Sequence, residues 1–270
     1  RNHGLKRPRH FHRQIRNTSQ ASRLSSNPAT LGSPKPTTSH GLCYNTEPCI
    51  TAAMARLRCM QNEMPETPQA TFWNRVAHRY AATPMRNPHA WEETLARTQG
   101  HLSNGDLVME LGCGTGSTAV RLAPHVAAYK ATDDASEMIT IATERGKDIA
   151  SLKFAQARPG DGSLPPGPFD AILAFNLLHL LPDLPAALKE VHGMIKPTGL
   201  LITKTPCLGG IYQCLWPLVR TLQAFGKAPP LRFLSPARLE EMIGEAGFDI
   251  KDSDELPRRP PSRFIVARRI

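Results

Sequence analysis

Three glycines at alternate positions, Gly112, Gly114 and Gly116, stand between a strand-like apolar run, Leu107–Leu111, and a stretch patterned as a helix, 117–123, closed by Pro124. A strand that passes through a glycine turn directly into a helix opens a βαβ unit. The alternation then continues. Strand-like runs follow at 126–132, 152–157, 169–175 and 200–205, and helical spacing recurs over 135–146, at Leu184, Leu188, Val191 and Ile195, and at Leu239, Met242, Ile243 and Ala246. Lys196-Pro197-Thr198-Gly199 and Gly247 are the expected stops of the last two helices. Strands and helices in alternation place parallel strands under helices on both faces, and right-handed crossovers reduce the topology to a doubly wound sheet. The expected fold is therefore α/β, with a mostly parallel seven-stranded sheet whose last two strands, 248–251 and 264–267, form a C-terminal antiparallel hairpin. Ahead of the first strand, Phe72, Trp73, Val76 and Tyr80, then Trp91 and Leu95, predict two short amphipathic helices split at Thr83-Pro84 and Asn87-Pro88.

At 270 residues the chain has room for one such domain and a modest extension. The extension is expected at the start: residues 1–68 form a disordered basic tail, and residues 69–270 the folded domain. Residues 1–63 hold ten Lys and Arg against two Asp and Glu, so +8 of the net charge of +10 sits there and the remainder is close to neutral. Three readings of the tail stand. It lies outside the working protein, Arg1 taking the place of a Met and Met54, Met60 and Met64 offering later starts; it is an Arg- and Ser-rich, acid-poor organelle-targeting segment; or it is a basic arm for nucleic acid. Cytoplasm is the expected location, an organelle the alternative. The near-neutral remainder argues against nucleic acid as the partner of the folded part. Six cysteines at 43, 49, 59, 113, 207 and 214 form no C-x-x-C pair, and no metal site is expected, His10 and His12 having no further ligands nearby. No apolar run reaches the ~20 residues that cross a bilayer, the longest greasy stretch being broken by Gly209, Gly210, Gln213 and Pro217.

A glycine loop alone does not say what it binds, because dinucleotide enzymes use one as well. Glycines at 112, 114 and 116 leave the backbone bare, and the helix start behind them offers unpaired N–H groups. The dinucleotide pattern G-x-G-x-x-G wants its third glycine at 117, where this chain has Ser117. Glu110 places an acid at the mouth of the first strand, which suits an ammonium group and repels a pyrophosphate; a carboxylate merely facing water is the alternative. The second strand ends at Asp133, where an acid can accept both hydroxyls of a ribose. Asp134 reads as an N-cap or first-turn acid of the following helix.

With those residues in place, Glu110-Leu-Gly-Cys-Gly-Thr-Gly116, Asp133 followed by Ser136-Glu-Met138, Phe169-Asp170, Asn176-Leu-Leu-His179 and Leu188…Val191…Ile195-Lys-Pro-Thr-Gly199 resemble, in order and spacing, the class I S-adenosylmethionine-dependent methyltransferases of small-molecule type. The resemblance spans about residues 71–270. It implies a Rossmann-like methyltransferase fold with S-adenosyl-L-methionine as cofactor. The backbone at Gly112, Cys113, Gly114 and Gly116 would hold the methionine part, with Glu110 near its amino group, Asp133 on the ribose and Met138 near the adenine. An acid after the third strand contacts the adenine amine in that family. Here Arg158 occupies the place and Asp161 is the nearest replacement, an ordinary turn residue being the equal alternative. Asn176 would line the pocket, and Tyr80 corresponds to a lid position over the cofactor or packs in the core. His179 is the candidate general base or acceptor-orienting group, with a structural role as its alternative.

The resemblance implies in-line transfer of a methyl group to a small-molecule acceptor, by a monomer or homodimer. Alignment of the reacting atoms supplies most of the help such a displacement needs, so a missing catalytic dyad is expected. The insert after the fifth strand, 206–235, carries Ile211, Tyr212, Leu215, Trp216, Leu218, Val219, Leu222 and Phe225. It reads as an apolar cap over a substrate or as a packing helix; Arg220 and Lys227 give little charge for a lipid surface. An RNA or protein methyltransferase, opposed by the lack of an Asn-Pro-Pro-Tyr-like motif after the fourth strand, and a non-catalytic nucleotide binder are the other functional readings.

Overall fold

The computed structural model describes residues 66–209, 214–258 and 261–270. The readings made of residues 1–65, including His10, His12 and three of the cysteines, lie outside the described residues, as do Ile211 and Tyr212. The helix α1 (Pro68–Ala82) begins at the last residue assigned to the tail, and Thr67 caps it by accepting from the Ala70 N–H at 2.9 Å. A polar cap followed by proline recurs at α2 (Pro88–Gln99), capped by Asn87, and at α7 (Pro236–Glu245), capped by Ser235. Proline at the first helical position gives up an N–H that has no partner there, so these pairs fix where the helices start.

Between them the chain runs β1 (Leu107–Leu111), α3 (Ser117–Leu122), β2 (Ala128–Asp133), α4 (Ser136–Gly146), β3 (Leu152–Gln156), β4 (Phe169–Phe175), α5 (Leu184–Met194), β5 (Ile195–Pro206) and α6 (Trp216–Ala224). After α7 it ends in β6 (Phe248–Arg258) and β7 (Pro261–Arg269). The seven strands form one sheet in the order β3-β2-β1-β4-β5-β7-β6, parallel from β3 to β5, with β7 antiparallel to both β5 and β6. This is the doubly wound sheet with a terminal hairpin that the alternation predicts.

Both faces of the sheet are buried, as parallel strands require. On one face Met109, Leu111, Ile172, Leu201 and Ile265 pack against Leu188 and Val191 of α5 and Leu239 and Ile243 of α7. On the other, Val108, Tyr129, Ala131, Leu173, Ile202 and Phe264 meet Leu95 of α2 and Ala119 and Leu122 of α3. The helix α1 packs separately on α4 through Trp73, Ala77, Ala135, Met138 and Ile141. Two boundaries differ from the sequence reading. The Lys196–Gly199 stretch does end α5, but it continues as the first part of β5, with Thr198 at φ 64° and a register shift opposite Phe169 and Ala171. The hairpin strands run well beyond 248–251 and 264–267. Arg97 of α2 pairs with Asp252 at 2.7 Å and Asp254 at 3.1 Å and lies over the Phe264 ring, so a strand of loop-like composition gains partners from a distant helix.

Among the described residues no helix is long and apolar enough to cross a membrane, and no three or more metal-ligating side chains gather into a cluster.

Candidate active site

The chain winds outward from β1 through β2 to β3, then returns to the other side of β1 as β4. A crevice outside the strand ends opens at such a reversal, and the glycine loop leaves β1 there. Its glycines all have left-handed backbone, with φ of 66° at Gly112, 53° at Gly114 and 75° at Gly116. Their surroundings divide them. A Cβ on Gly112 would stand 2.8 Å from Leu177 Cδ1, and one on Gly116 would stand 3.0 Å from Ala142 and 3.1 Å from Phe154. A Cβ on Gly114 would meet nothing within 4 Å. Gly112 and Gly116 thus let the loop pack down on the β4 turn and on α4, while Gly114 turns bare backbone toward open space. Cys113 is buried in the core with its S–H toward the Gly114 carbonyl, so this position offers a ligand only its main chain.

Two side chains hold the loop. Asp133, at the tip of β2, accepts from the Gly114 N–H at 2.8 Å and from the Ala135 N–H at 3.0 Å. Its carboxyl titrates above the usual range, through burial first and opposed by those N–H bonds. From the far side Arg145 of α4 donates to the Thr115 carbonyl at 2.6 Å, the Thr115 hydroxyl at 2.9 Å and the Ser117 hydroxyl at 2.6 Å. The sequence reading missed Arg145; an arginine in the last turn of a helix looks like an ordinary C-terminal cation until the loop is folded against it. The helix α3 behind the loop has only six residues, so the loop's amides matter more than a helix field.

Glu110 is not at the mouth of the strand. It is 2% exposed and accepts from the Tyr129 hydroxyl at 2.9 Å, inside the face shared with Val108. Neither the water-facing alternative nor a carboxylate open to the crevice describes it. Burial pushes its carboxyl up to about 7, the Tyr129 hydrogen bond holding it down and the charge of Asp133 adding to the rise.

The side of the crevice toward β3 also differs from expectation. Asp134 caps no helix, the N-cap position being Ala135. Asp134 pairs instead with Arg158 at 3.0 Å and accepts from the Thr67 hydroxyl at 2.5 Å. Arg158 reaches on to Asp161 at 2.7 Å, and Asp161 also accepts from the Ser163 N–H at 2.9 Å. One guanidinium therefore ties the β2 and β3 ends together through two carboxylates, and Asp161 stands as its partner in an exposed turn. Met138 lies buried between α4 and α1. Tyr80 is 53% exposed, edge-on to Trp73 at 5.8 Å, and its hydroxyl titrates above an ordinary phenol through desolvation and then the negative charge of Asp133.

At the end of β4, Asn176 is exposed with φ 55°, and its N–H donates to the Lys204 carbonyl at 2.7 Å. His179 is 9% exposed, with Nδ1 making no hydrogen bond among the described residues. Burial lowers its pKa to about 4, so its ring is neutral at physiological pH and a weak base there.

Comparison with known proteins agrees with this arrangement. A family model described as a methyltransferase domain matches residues 109–203, the stretch from the glycine loop to β5. A solved structure of DhpI in complex with SAH is 25% identical, with a TM-score of 0.57 over 75% of this chain and 95% of that one. Residues 109–203 of the chain thus carry a methyltransferase domain. Curated relatives of the chain include a highly reducing polyketide synthase, g433 of a Fusarium species, 25% identical over 53% of this chain and 6% of the synthase. Another is the mitochondrial arginine-hydroxylase NDUFAF5 of Danio rerio, 28% identical over 60% of this chain and 51% of the relative. The chain thus spans about half the length of one such relative and a small fraction of the other.

Proposed function

We propose that the chain binds S-adenosyl-L-methionine in the crevice at the β1, β2 and β4 ends and transfers its methyl group to a small-molecule acceptor. The observation that carries this is the open space before Gly114, whose N–H is held by Asp133. The residues present fit the cofactor. Bare backbone at Gly114 admits an amino-acid group, and a carboxylate has about four lone-pair positions, of which Asp133 spends two on N–H groups. The remainder can accept ribose hydroxyls. Tyr80, whose hydroxyl feels the charge of Asp133, would cover this end.

When bound, S-adenosylmethionine supplies a methyl group on a sulfonium, an electrophile activated in advance. The chain's own work is then positional. Arg145 and Asp133 fix the loop from two sides, and α1, packed on α4, shields the crevice from water. His179 stays neutral and contributes shape and a hydrogen-bonding atom at the end of β4. Preorganised positioning of this kind is worth roughly 7–11 kcal/mol in favourable cases.

Asp133→Ala is expected to weaken S-adenosylhomocysteine binding by about tenfold to a hundredfold, the loss of hydrogen bonds to a charged group. Calorimetric titration measures it, and unchanged affinity would remove Asp133 from the site. The NDUFAF5 relative is named as a hydroxylase, so a different chemistry on the same fold is the second reading. Testing methyl transfer from labelled cofactor to metabolite pools separates the two, and titrating the full chain with S-adenosylhomocysteine and NAD side by side separates the proposal from a nucleotide binder; preference for NAD overturns it. We place the enzyme in the cytoplasm. The basic tail and the mitochondrial relative favour an organelle as the alternative.

A further inference from the structure

The helix α6 lies on the fold without entering its core. It buries no residue, and it exposes Leu215, Trp216 and Leu218 at its start and Phe225 just past its end, Phe225 by 73%. Leu218 and Phe225 are about two turns apart and so share one side of the helix. Arg220, also exposed, lies over the Trp216 ring, 5.5 Å from its centroid. Arg220 and Lys227 alone would give this helix little attraction for a charged surface.

Folding brings further cations to it. Arg75 of α1 donates to the Gly226 carbonyl, between Phe225 and Lys227. Arg79 follows one turn along the same side of α1, and both arginines are exposed. Arg75, Arg79, Arg220 and Lys227 thus border the exposed apolar side chains. The two segments that supply them, residues 67–91 and 207–235, contain no Asp or Glu. The carboxylates that do meet α1, Glu66 through Asn74 at 2.9 Å and Glu137 through His78 at 3.5 Å, stand on its adjoining Asn74–His78 side.

Apolar and aromatic side chains set among arginine and lysine suit the boundary of a bilayer. The first enter the acyl edge, and the second stay with anionic headgroups. The same charges oppose a second copy of this chain, because a two-fold contact through α6 would set the cationic border against itself.

We infer that α6 and the adjoining side of α1 form a docking face for an anionic lipid bilayer, on which α6 lies flat. The inference goes beyond the methyltransferase reading and does not depend on it. Trp216, Leu218 and Phe225 are the anchors, and Arg75, Arg79, Arg220 and Lys227 supply the attraction.

The test sediments the full chain with phosphatidylcholine vesicles, with and without phosphatidylglycerol. Binding is expected with the anionic vesicles, and most of it is expected to disappear on the neutral ones or at high salt. Residues 1–63 carry +8 and attract anionic vesicles themselves, so the deciding comparisons are between variants of the face. Leu218→Ala with Phe225→Ala should weaken binding about tenfold or more, through lost apolar burial. Arg79→Gln with Lys227→Gln should weaken it roughly 25-fold, about fivefold for each cation near the surface. These four side chains are exposed, so the unfolding midpoint should stay where it is. Brominated lipid should quench tryptophan emission in the wild type, and Trp216→Phe, which keeps an aromatic anchor, should remove most of that quenching. Vesicle binding that both double variants retain overturns the inference and assigns the attraction to the tail. Quenching that survives Trp216→Phe overturns it as well. So does a failure to bind vesicles in a chain that self-associates until Phe225→Ala is introduced, which would make a second copy the occupant.

Discussion

Gly114→Val abolishes cofactor binding and leaves the fold standing. A Cβ at this position meets no protein atom within 4 Å, so the branched side chain costs the core nothing and projects into the space a ligand must enter. The backbone strain is local: a β-branched residue at φ 53° costs on the order of 1–3 kcal/mol. The same substitution at Gly112 or Gly116 has a different result, because there a Cβ lands 2.8 Å from Leu177 or 3.0 Å from Ala142. Overpacking of that kind, added to the strain, is expected to lower stability by roughly 1–3 kcal/mol or more. S-adenosylhomocysteine titration together with denaturant unfolding distinguishes the two classes. The Gly114 variant loses binding by more than about 100-fold, some 2.7 kcal/mol, and its unfolding midpoint falls only by the local strain, less than in the Gly112 and Gly116 variants, which carry the overpacking as well. Wild-type affinity in a folded Gly114→Val protein would mean the ligand approaches from elsewhere.

That separation of three similar glycines shows where sequence reading stopped. Alternating strands and helices, and a glycine turn between the first pair, were sufficient for the sheet and for the location of the crevice, because buried parallel strands and helix caps are written in local residue patterns. Side-chain direction was not read. Glu110 was placed at a strand mouth, although its place two residues after Val108 sets it on the same buried face. Glu110 pairs in register with Ala131, and Tyr129 is two residues back on that same face of the neighbouring strand, within diagonal reach. The signal was in the spacing. Arg158 and Asp134 were harder. Each is a plain polar residue near a strand end, and only the parallel register of β2 and β3 brings them to 3.0 Å. The length of β6 was hidden for a similar reason, since Asp252 and Asp254 look like loop residues until Arg97 arrives from α2.

Glu110 and His179 are expected to pull the pH dependence of stability in opposite directions, and removing either exposes the other. Folding raises the Glu110 pKa from 4.5 to about 7, so between those values the folded chain binds more protons than the unfolded chain and stability falls as pH rises. Folding lowers the His179 pKa from 6.5 to about 4, so over that interval the folded chain binds fewer protons and stability rises with pH. Each shift corresponds to roughly 3 kcal/mol at full extent. From pH 4.5 to 6.5 the two slopes oppose each other, and their sum in the wild type is close to flat. Glu110→Gln keeps an acceptor for the Tyr129 hydroxyl but does not titrate; its stability should climb by about 3 kcal/mol across the acid interval. His179→Leu, which sacrifices no hydrogen bond of Nδ1 among the described residues, should show the reverse, a decline by a similar amount toward neutral pH. Denaturant unfolding at several pH values measures both. Two variants whose profiles run parallel to the wild type would mean that neither buried group changes its protonation on folding, and that Glu110 lies beneath the glycine loop as a carboxylate open to water.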